Sequence, residues 1–304
     1  MATTSLPTRT GPRRRTGAPA GDAPAPAGPT APALVEVVGA AHTRRSLWDR
    51  IPRGVRRLTG PLALLALWAV ASELGWWNRD LFPPPAEVLR TAWELTVSGE
   101  LATHVGRSVG RVLTGTVLGV AVGAVLAVLA GLTRTGEDLL DPTMQVFKAV
   151  PNFALMPLLI IFMGIGETPK TVLITLGVGI AIYINTYGAI RNVDAQLVEA
   201  AQTLGVSRWT LVTQVVLPGA APGFLVGLRL GLSSAWLSLI FAETINTPQG
   251  IGYLMNRAQT LLQFDVGLLV IGIYAVAGLL SYAFVRFLER HLLVWRRGFE
   301  GVAA

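Results

Sequence analysis

The sequence predicts an all-α polytopic membrane protein with six transmembrane helices and cytoplasmic N- and C-termini. Three observations carry that prediction. Only 14% of the 304 residues are charged, about half the roughly 25% of an average soluble chain. The deficit is local. Six apolar stretches, at 58–74, 109–130, 149–166, 171–190, 222–242 and 266–285, contain three charges between them: Glu73, Arg111 and Arg229. The other 40 of the 43 charges lie outside the stretches, at an ordinary soluble density. The basic residues also differ by side. With the N-terminus inside, segments 1–57, 131–148, 191–221 and 286–304 hold 18 Lys and Arg; the outer segments hold five, Arg79, Arg90, Arg107, Lys170 and Arg257. Such a bias sets membrane orientation. Length alone permits one or two globular domains, and the segregation of charge excludes them.

Residues 1–43 are dominated by Ala, Pro, Gly and Thr and read as a disordered, basic cytoplasmic arm. A cleaved signal peptide is not expected, because the first apolar run begins only near Leu58. Residues 44–57 form a basic juxtamembrane segment with Trp48 as an interfacial anchor. The transmembrane domain is placed at 58–290 and a cytoplasmic tail at 291–304. A hydrocarbon layer about 30 Å thick takes roughly 20 helical residues. The stretches at 171–190 and 266–285 meet that length without a charge. The first stretch is shorter, and Trp76 and Trp77 after it suit the headgroup layer. Residues 86–107 read as a short amphipathic outer helix, with Val88, Leu89, Ala92 and Trp93 on one face. The third stretch contains Pro151 and Pro157, so an irregular or kinked helix is expected there. Gly115, Gly119 and Gly123, and likewise Gly223, Gly227 and Gly231, recur every four residues and make faces that admit a second backbone closely.

Other counts narrow the chemistry. There is no cysteine, so no disulfide framework, iron–sulfur cluster or thiolate nucleophile is available. His42, His104 and His291 are expected in the arm, an inter-helix loop and the C-terminal segment, with no metal-site spacing. Glu137, Asp138 and Asp141 read as a solvated inner loop rather than a metal site. The net charge of +7 is concentrated beside the apolar stretches, which is a membrane-topology signal and implies no nucleic-acid partner. A nucleotide-binding P-loop needs Gly-Lys-Ser/Thr. The two lysines, Lys148 and Lys170, do not follow glycine. No cofactor is expected, and the chain is not read as an enzyme.

The inner segment 191–221 is the most informative. Asp194 is expected to cap a helix over 195–204 by accepting free backbone N–H groups. Gly205 then ends that helix, and Ser207 caps a second short one through Arg208, Trp209 and Leu211. Leu217 and Pro218 close the segment, and Pro222 begins or bends the next span. Two short helices about a glycine make a protruding knob, with Leu204, Val206, Trp209 and Leu211 as its apolar grip on a soluble partner.

In that segment Glu199-Ala200-Ala201, Gly205, Val215 and Leu217-Pro218 match the EAA-x3-G-x9-I-x-LP loop of bacterial ABC-importer permeases, with Val215 where Ile is usual. The chain resembles the nitrate/sulfonate/taurine/bicarbonate branch of that family. LFPPPAEV (81–88), LLDP (139–142), KAVPNFALMPLLIIFMGIGE (148–167), NTYGAIRNVD (185–194) and GIGYLMNRA (250–258) carry the likeness across about 58–297, most closely to aliphatic-sulfonate permeases. The resemblance implies a permease subunit that works by alternating access in a bacterial cytoplasmic membrane. Its partners would be two ATP-binding subunits, a second permease copy and an extracytoplasmic solute-binding protein. Glu199, Ala200, Ala201, Leu204, Gly205, Arg208 and Trp209 would dock the ATPase, with Leu217 and Pro218 fixing the return to the membrane. The implied substrate is a small anion, an aliphatic sulfonate, with nitrate, taurine, bicarbonate or a small organic nutrient as alternatives.

Polar residues in the stretches are candidates for the pathway or for helix packing: Asn152, Tyr183, Asn185, Tyr187, Arg229 and Ser233. Arg229 is expected to meet an anionic substrate or an internal acid, or else to snorkel to the inner headgroups. Glu243 is expected as an outer-surface contact. An ion-coupled secondary transporter would require buried carboxylates within the spans, and the stretches contain only Glu73. A membrane enzyme would require a polar cluster at one face. A plain scaffold leaves the docking pattern unexplained.

Overall fold

The computed structural model describes residues 53–79, 81–245 and 247–293. The arm with Trp48 and His42, and the tail beyond residue 293, lie outside the described residues. Among those described, all regular structure is helical. The α-helices are α1 (Arg53–Glu73), α2 (Pro85–Val97), α3 (Glu100–Leu132), α4 (Arg134–Ala149), α5 (Met156–Met163), α6 (Glu167–Arg191), α7 (Ala195–Thr203), α8 (Arg208–Leu211), α9 (Leu217–Thr244), α10 (Ile251–Thr260) and α11 (Phe264–Leu292).

Among the described residues, four helical segments are long and apolar enough to cross a bilayer: α3, α6, the run Arg208–Thr244 that joins α8 to α9, and α11. The apolar part of α1, Thr59–Glu73, is shorter. The third predicted stretch is a broken element: α4 and the segment Asn152–Met163 meet at 90°. Pro151 explains the break, since it lacks a donor N–H and pushes the residue before it toward extended backbone, whereas Pro157 sits in the first turn of α5, where its missing N–H is tolerated. Val150 adopts that conformation (φ −83°, ψ 125°). Six apolar stretches therefore correspond to four full-length segments, one bent pair and one shorter helix.

Two sequence boundaries shift. The piece 131–148, expected on the inner side, is mostly helix α4 rather than a loop. Thr133 caps it, its Oγ1 accepting the Gly136 N–H at 3.0 Å, while Leu140 and Met144 pack against the cluster of Ala127, Ala130 and Tyr183. The segment 86–107, expected as a single outer helix, belongs to two helices, because Gly99 takes a left-handed φ of 76° between α2 and α3.

The core is α3, α6 and α9, with α6 between the other two. Glycine sets the spacing. A Cβ on Gly119 would stand 2.8 Å from the Thr175 carbonyl oxygen, and one on Gly227 would stand 3.1 Å from the Ala181 carbonyl oxygen. Backbone thus approaches backbone on both sides of α6, as small-residue faces in membranes permit. Val112, Ile174, Val178, Ile182, Leu225, Leu232 and Leu239 fill the remaining space. Large apolar side chains such as Val117, Val125, Leu279 and Leu280 face outward, while Ser108, Ser238 and Thr186 are buried. Exposed apolar patches of this extent are a liability in water and ordinary in lipid.

Candidate functional site

The described residues present two candidate regions, at opposite ends of the 25-residue α6. At 1.5 Å per residue they lie roughly 36 Å apart.

The first region follows the C-terminal end of α6 and has the local structure the sequence predicts. Asp194 caps α7, its Oδ1 accepting the Gln196 N–H at 2.9 Å. Gly205 takes a φ of 71°. Its N–H donates to the Gln202 carbonyl at 2.9 Å, and the Val206 N–H donates to the Ala201 carbonyl at 3.3 Å, the paired bonds of a Schellman helix end. Ser207 caps α8 by accepting the Thr210 N–H at 3.2 Å. Glu199, Ala200 and Arg208 are exposed and Ala201 is half-buried.

The apolar grip is smaller than predicted. Leu204 and Trp209 stand out at 85% and 76% exposure. Val206 is half-buried, and Leu211 turns inward against Ile190, Val216 and Ala220. The segment also does not close at Leu217 and Pro218. A π-helical turn over Val212–Val216 carries α8 directly into α9. Its wider bonding lets the Leu217 N–H reach the Val212 carbonyl. The helix thereby absorbs Pro218, which has no N–H to offer an ordinary α-turn.

The six candidates for pathway or packing make separate helix contacts. The Asn152 amide donates to the Leu173 carbonyl at 3.0 Å and to Ser238 Oγ at 2.7 Å, joining the break before α5 to α6 and α9. Tyr183 and Tyr187 stack with ring centroids 5.6 Å apart. The Tyr187 hydroxyl donates to Glu137 at 2.9 Å, so Glu137 serves a helix contact rather than a solvated loop. Asn185 donates to the Ala181 carbonyl one turn back, and the exposed Ser233 donates to the Arg229 carbonyl. Arg229 pairs with Glu289 of α11 and lies over the Tyr282 ring at 5.4 Å, which is the internal acidic partner among its expected roles.

The second region, at the other end of the core, went unrecognised in the sequence. Glu243 is not an outer-surface contact: it is 1% exposed. It accepts from Arg111 Nη1 at 2.7 Å, from Ser108 Oγ at 2.7 and 2.8 Å, and from the Gly252 N–H at 2.8 Å. Arg111, 8% exposed, also grips Glu167 through Nε and Nη2 at 2.6 and 2.7 Å. Lys170 Nζ adds a contact to Glu167 at 3.3 Å. One arginine on α3 therefore joins the first residue of α6 to the last turn of α9.

The same face of α3 holds the loop before α10. Nδ1 of His104, which lies on α3 rather than in a loop, accepts the Gly250 N–H at 2.9 Å. Ser108 accepts the Ile251 N–H at 2.8 Å, Arg107 donates to Gln249 Oε1 at 3.1 Å, and Arg111 donates to the Gln249 carbonyl at 2.7 Å. The Gly-Ile-Gly that follows is dictated by Glu243: a Cβ on Gly252 would stand 2.6 Å from Glu243 Cβ, and Gly250 has no more room. The legible signal was His104, Arg107, Ser108 and Arg111 at helical spacing on one face. Glu243 escaped because it lies one residue past the fifth apolar stretch. A polar cleft of about 530 Å³ opens beside this cluster, between Arg107, Thr114, Thr171 and Gln249.

Comparison with known proteins places both regions within one family. Residues 105–294 match the family described as "Binding-protein-dependent transport system inner membrane component". The chain is 42% identical over 240 residues to a protein of Escherichia coli (strain K12) named as the aliphatic sulfonates transport permease SsuC, covering 79% of this chain and 91% of that one. Its counterpart of the same name in Bacillus subtilis (strain 168) is 39% identical over 241 residues, covering 79% and 87%. Among solved structures, the fold is shared with a chain of an amino acid ABC transporter at a TM-score of 0.52, 17% identity, and 67% and 96% coverage.

Proposed function

The chain belongs to the binding-protein-dependent transport system inner membrane components, and on that premise we propose how this ABC-importer permease works, with what partners and on what substrate. It forms the path for a small anionic solute, an aliphatic sulfonate, across a bacterial cytoplasmic membrane by alternating access. A separate ATP-binding subunit supplies the energy and docks on the knob at 195–211. A second copy of the chain completes the path, and a solute-binding protein delivers substrate at the end that carries Arg111.

One observation supports the docking reading above the others. At the C-terminal end of α6, an exposed leucine and an exposed tryptophan, Leu204 and Trp209, flank a glycine turn held by backbone bonds. A large, rigid side chain such as Trp209 acts as an anchor in a partner's pocket, with Leu204 adding apolar area beside it. The sulfonate assignment is supported by the two relatives named for that substrate.

The test uses the permease reconstituted in liposomes with its ATP-binding subunit and binding protein. Gly205→Val is expected to weaken co-purification of the ATP-binding subunit and ATP-driven uptake of an alkanesulfonate about tenfold, while membrane insertion is retained. Uptake and stimulated hydrolysis at unsubstituted levels would overturn the docking assignment. Uptake of taurine or nitrate in preference to the alkanesulfonate would overturn the substrate assignment alone.

A further inference from the structure

Along their middle, α3, α6 and α9 are held by apolar packing: Ile174, Val178 and Ile182 of α6 seat against Gly115, Gly119 and Gly123 of α3, and Val178 also against Gly231 of α9. Such contacts are non-directional. They run over 115–123 of α3, against 174–182 of α6, and over 223–231 of α9. Beyond them, toward the start of α6, the interlock changes in kind. Arg111, one turn before Gly115, holds both oxygens of Glu167 and one of Glu243. A bidentate arginine–carboxylate pair fixes geometry as well as distance. Glu243 in turn receives Ser108 from the same face of α3 and the Gly252 N–H from the loop.

We infer that Arg111 is a positioning residue for transport: it fixes the register of α3, α6 and α9, so that the three helices of one chain move as a single lever. Displacement imposed on the knob at 195–211 then reaches the loop 247–252, roughly 36 Å away along α6, without being lost to sliding between helices. This rests on the importer reading, and it adds a reason for the cluster that fold stability alone does not supply. A hydrophobic end layer would hold the helices together equally well, because a buried ion pair is often no more stabilising than apolar residues of the same volume. What the ion pair adds is a defined register.

The chain contains no cysteine, so spin labels can be placed without removing any. Ala102→Cys and Thr168→Cys put labels on exposed positions at the Arg111 end of α3 and α6. Labelled chains are diluted with unlabelled copies, so that distances within one chain are read by electron–electron double resonance. In the full complex with unsubstituted Arg111, the distance is expected to be the same without nucleotide and in the ATP-bound, hydrolysis-trapped state. In Arg111→Gln it is expected to broaden and to differ between the two states, with ATP hydrolysed per solute transported rising several-fold; Arg111→Lys should recover part of the coupling.

A distance that changes with nucleotide in the unsubstituted chain would overturn the lever, and that measurement stands even if Arg111→Gln fails to insert. An inserted Arg111→Gln with normal coupling and an unchanged distance would overturn it equally. Absence of ATP-driven uptake by the unsubstituted complex would overturn the importer reading instead, a result separate from these distances.

Discussion

Arg111 and Glu167, 56 residues apart in sequence, meet through two parallel contacts of 2.6 and 2.7 Å, and the same guanidinium reaches Glu243 at 2.7 Å. The end of the core is therefore held by one guanidinium between two carboxylates, with Lys170 beside Glu167. Removing the guanidinium leaves a carboxylate, Glu243, that is 1% exposed and unpaired. Breaking such a pair by removing one partner costs on the order of 3–5 kcal/mol. Arg111→Ala and Glu243→Ala are each expected to lower the apparent Tm in detergent. The double variant should lose less than the sum of the two, because the second change removes the group left stranded by the first.

The turn at Gly205 separates a backbone requirement from a steric one. Its φ is 71° and a Cβ there would meet nothing within 4 Å. Size is therefore tolerated, and the left-handed conformation is what restricts the position. Gly205→Val is expected to cost about 1–2 kcal/mol locally and to tilt α7 relative to α8, whereas Gly205→Asn should come close to the original because Asn visits this conformation readily. Affinity for the ATP-binding subunit, measured by titration in detergent, should rank glycine, asparagine, valine.

Leu204 and Trp209 project from the knob with little contact to the rest of the chain. Leu204→Asp and Trp209→Ala should leave expression and Tm unchanged while raising the Kd for the ATP-binding subunit about 30-fold, the size of a 2 kcal/mol interface anchor. Leu211 faces the other way, packed with Ile190 and Ala220. Leu211→Ala should lower Tm instead, by the roughly 2–5 kcal/mol typical of such a cavity where the side chain is fully buried, and by less here because Leu211 is only partly so.

The glycines of α3 divide by position. A Cβ on Gly119 would press on the Thr175 carbonyl oxygen at 2.8 Å and on Val178, while one on Gly106 would meet nothing within 4 Å. Gly119→Val must push α6 away and is expected to cost about 1–3 kcal/mol or more, as overpacking does. Gly106→Ala relieves the entropic cost of a helical glycine and should gain about 0.5–1 kcal/mol. Thermal unfolding of the two variants beside the unsubstituted chain decides the matter.

Where a feature depends on residues close in sequence, it was legible in advance. The caps at Asp194 and Ser207 and the stop at Gly205 each act over two to five residues, so reading 191–221 in order was enough to place α7 and α8. The break near Pro151 was legible for the same reason. Continuity through Pro218 was not. A proline ordinarily argues for a boundary, and only the π-turn over Val212–Val216 lets the helix run on. Leu211 was misjudged because helical spacing says that a residue has a face, and the neighbours decide whether that face is covered.

The sequence by itself determined the class of the protein, its family and the shape of the knob, because apolar length, the EAA-type spacing and helix caps are all local signals. Tertiary structure alone decided what the charged residues at the other end are for. Arg111 and Glu243 lie 132 residues apart, and nothing in either neighbourhood announces the other. Their pairing exists because glycine faces bring α3, α6 and α9 close enough for the ends to meet. At that distance a lone buried charge is costly, and two carboxylates sharing one arginine become the arrangement the packed helices can hold.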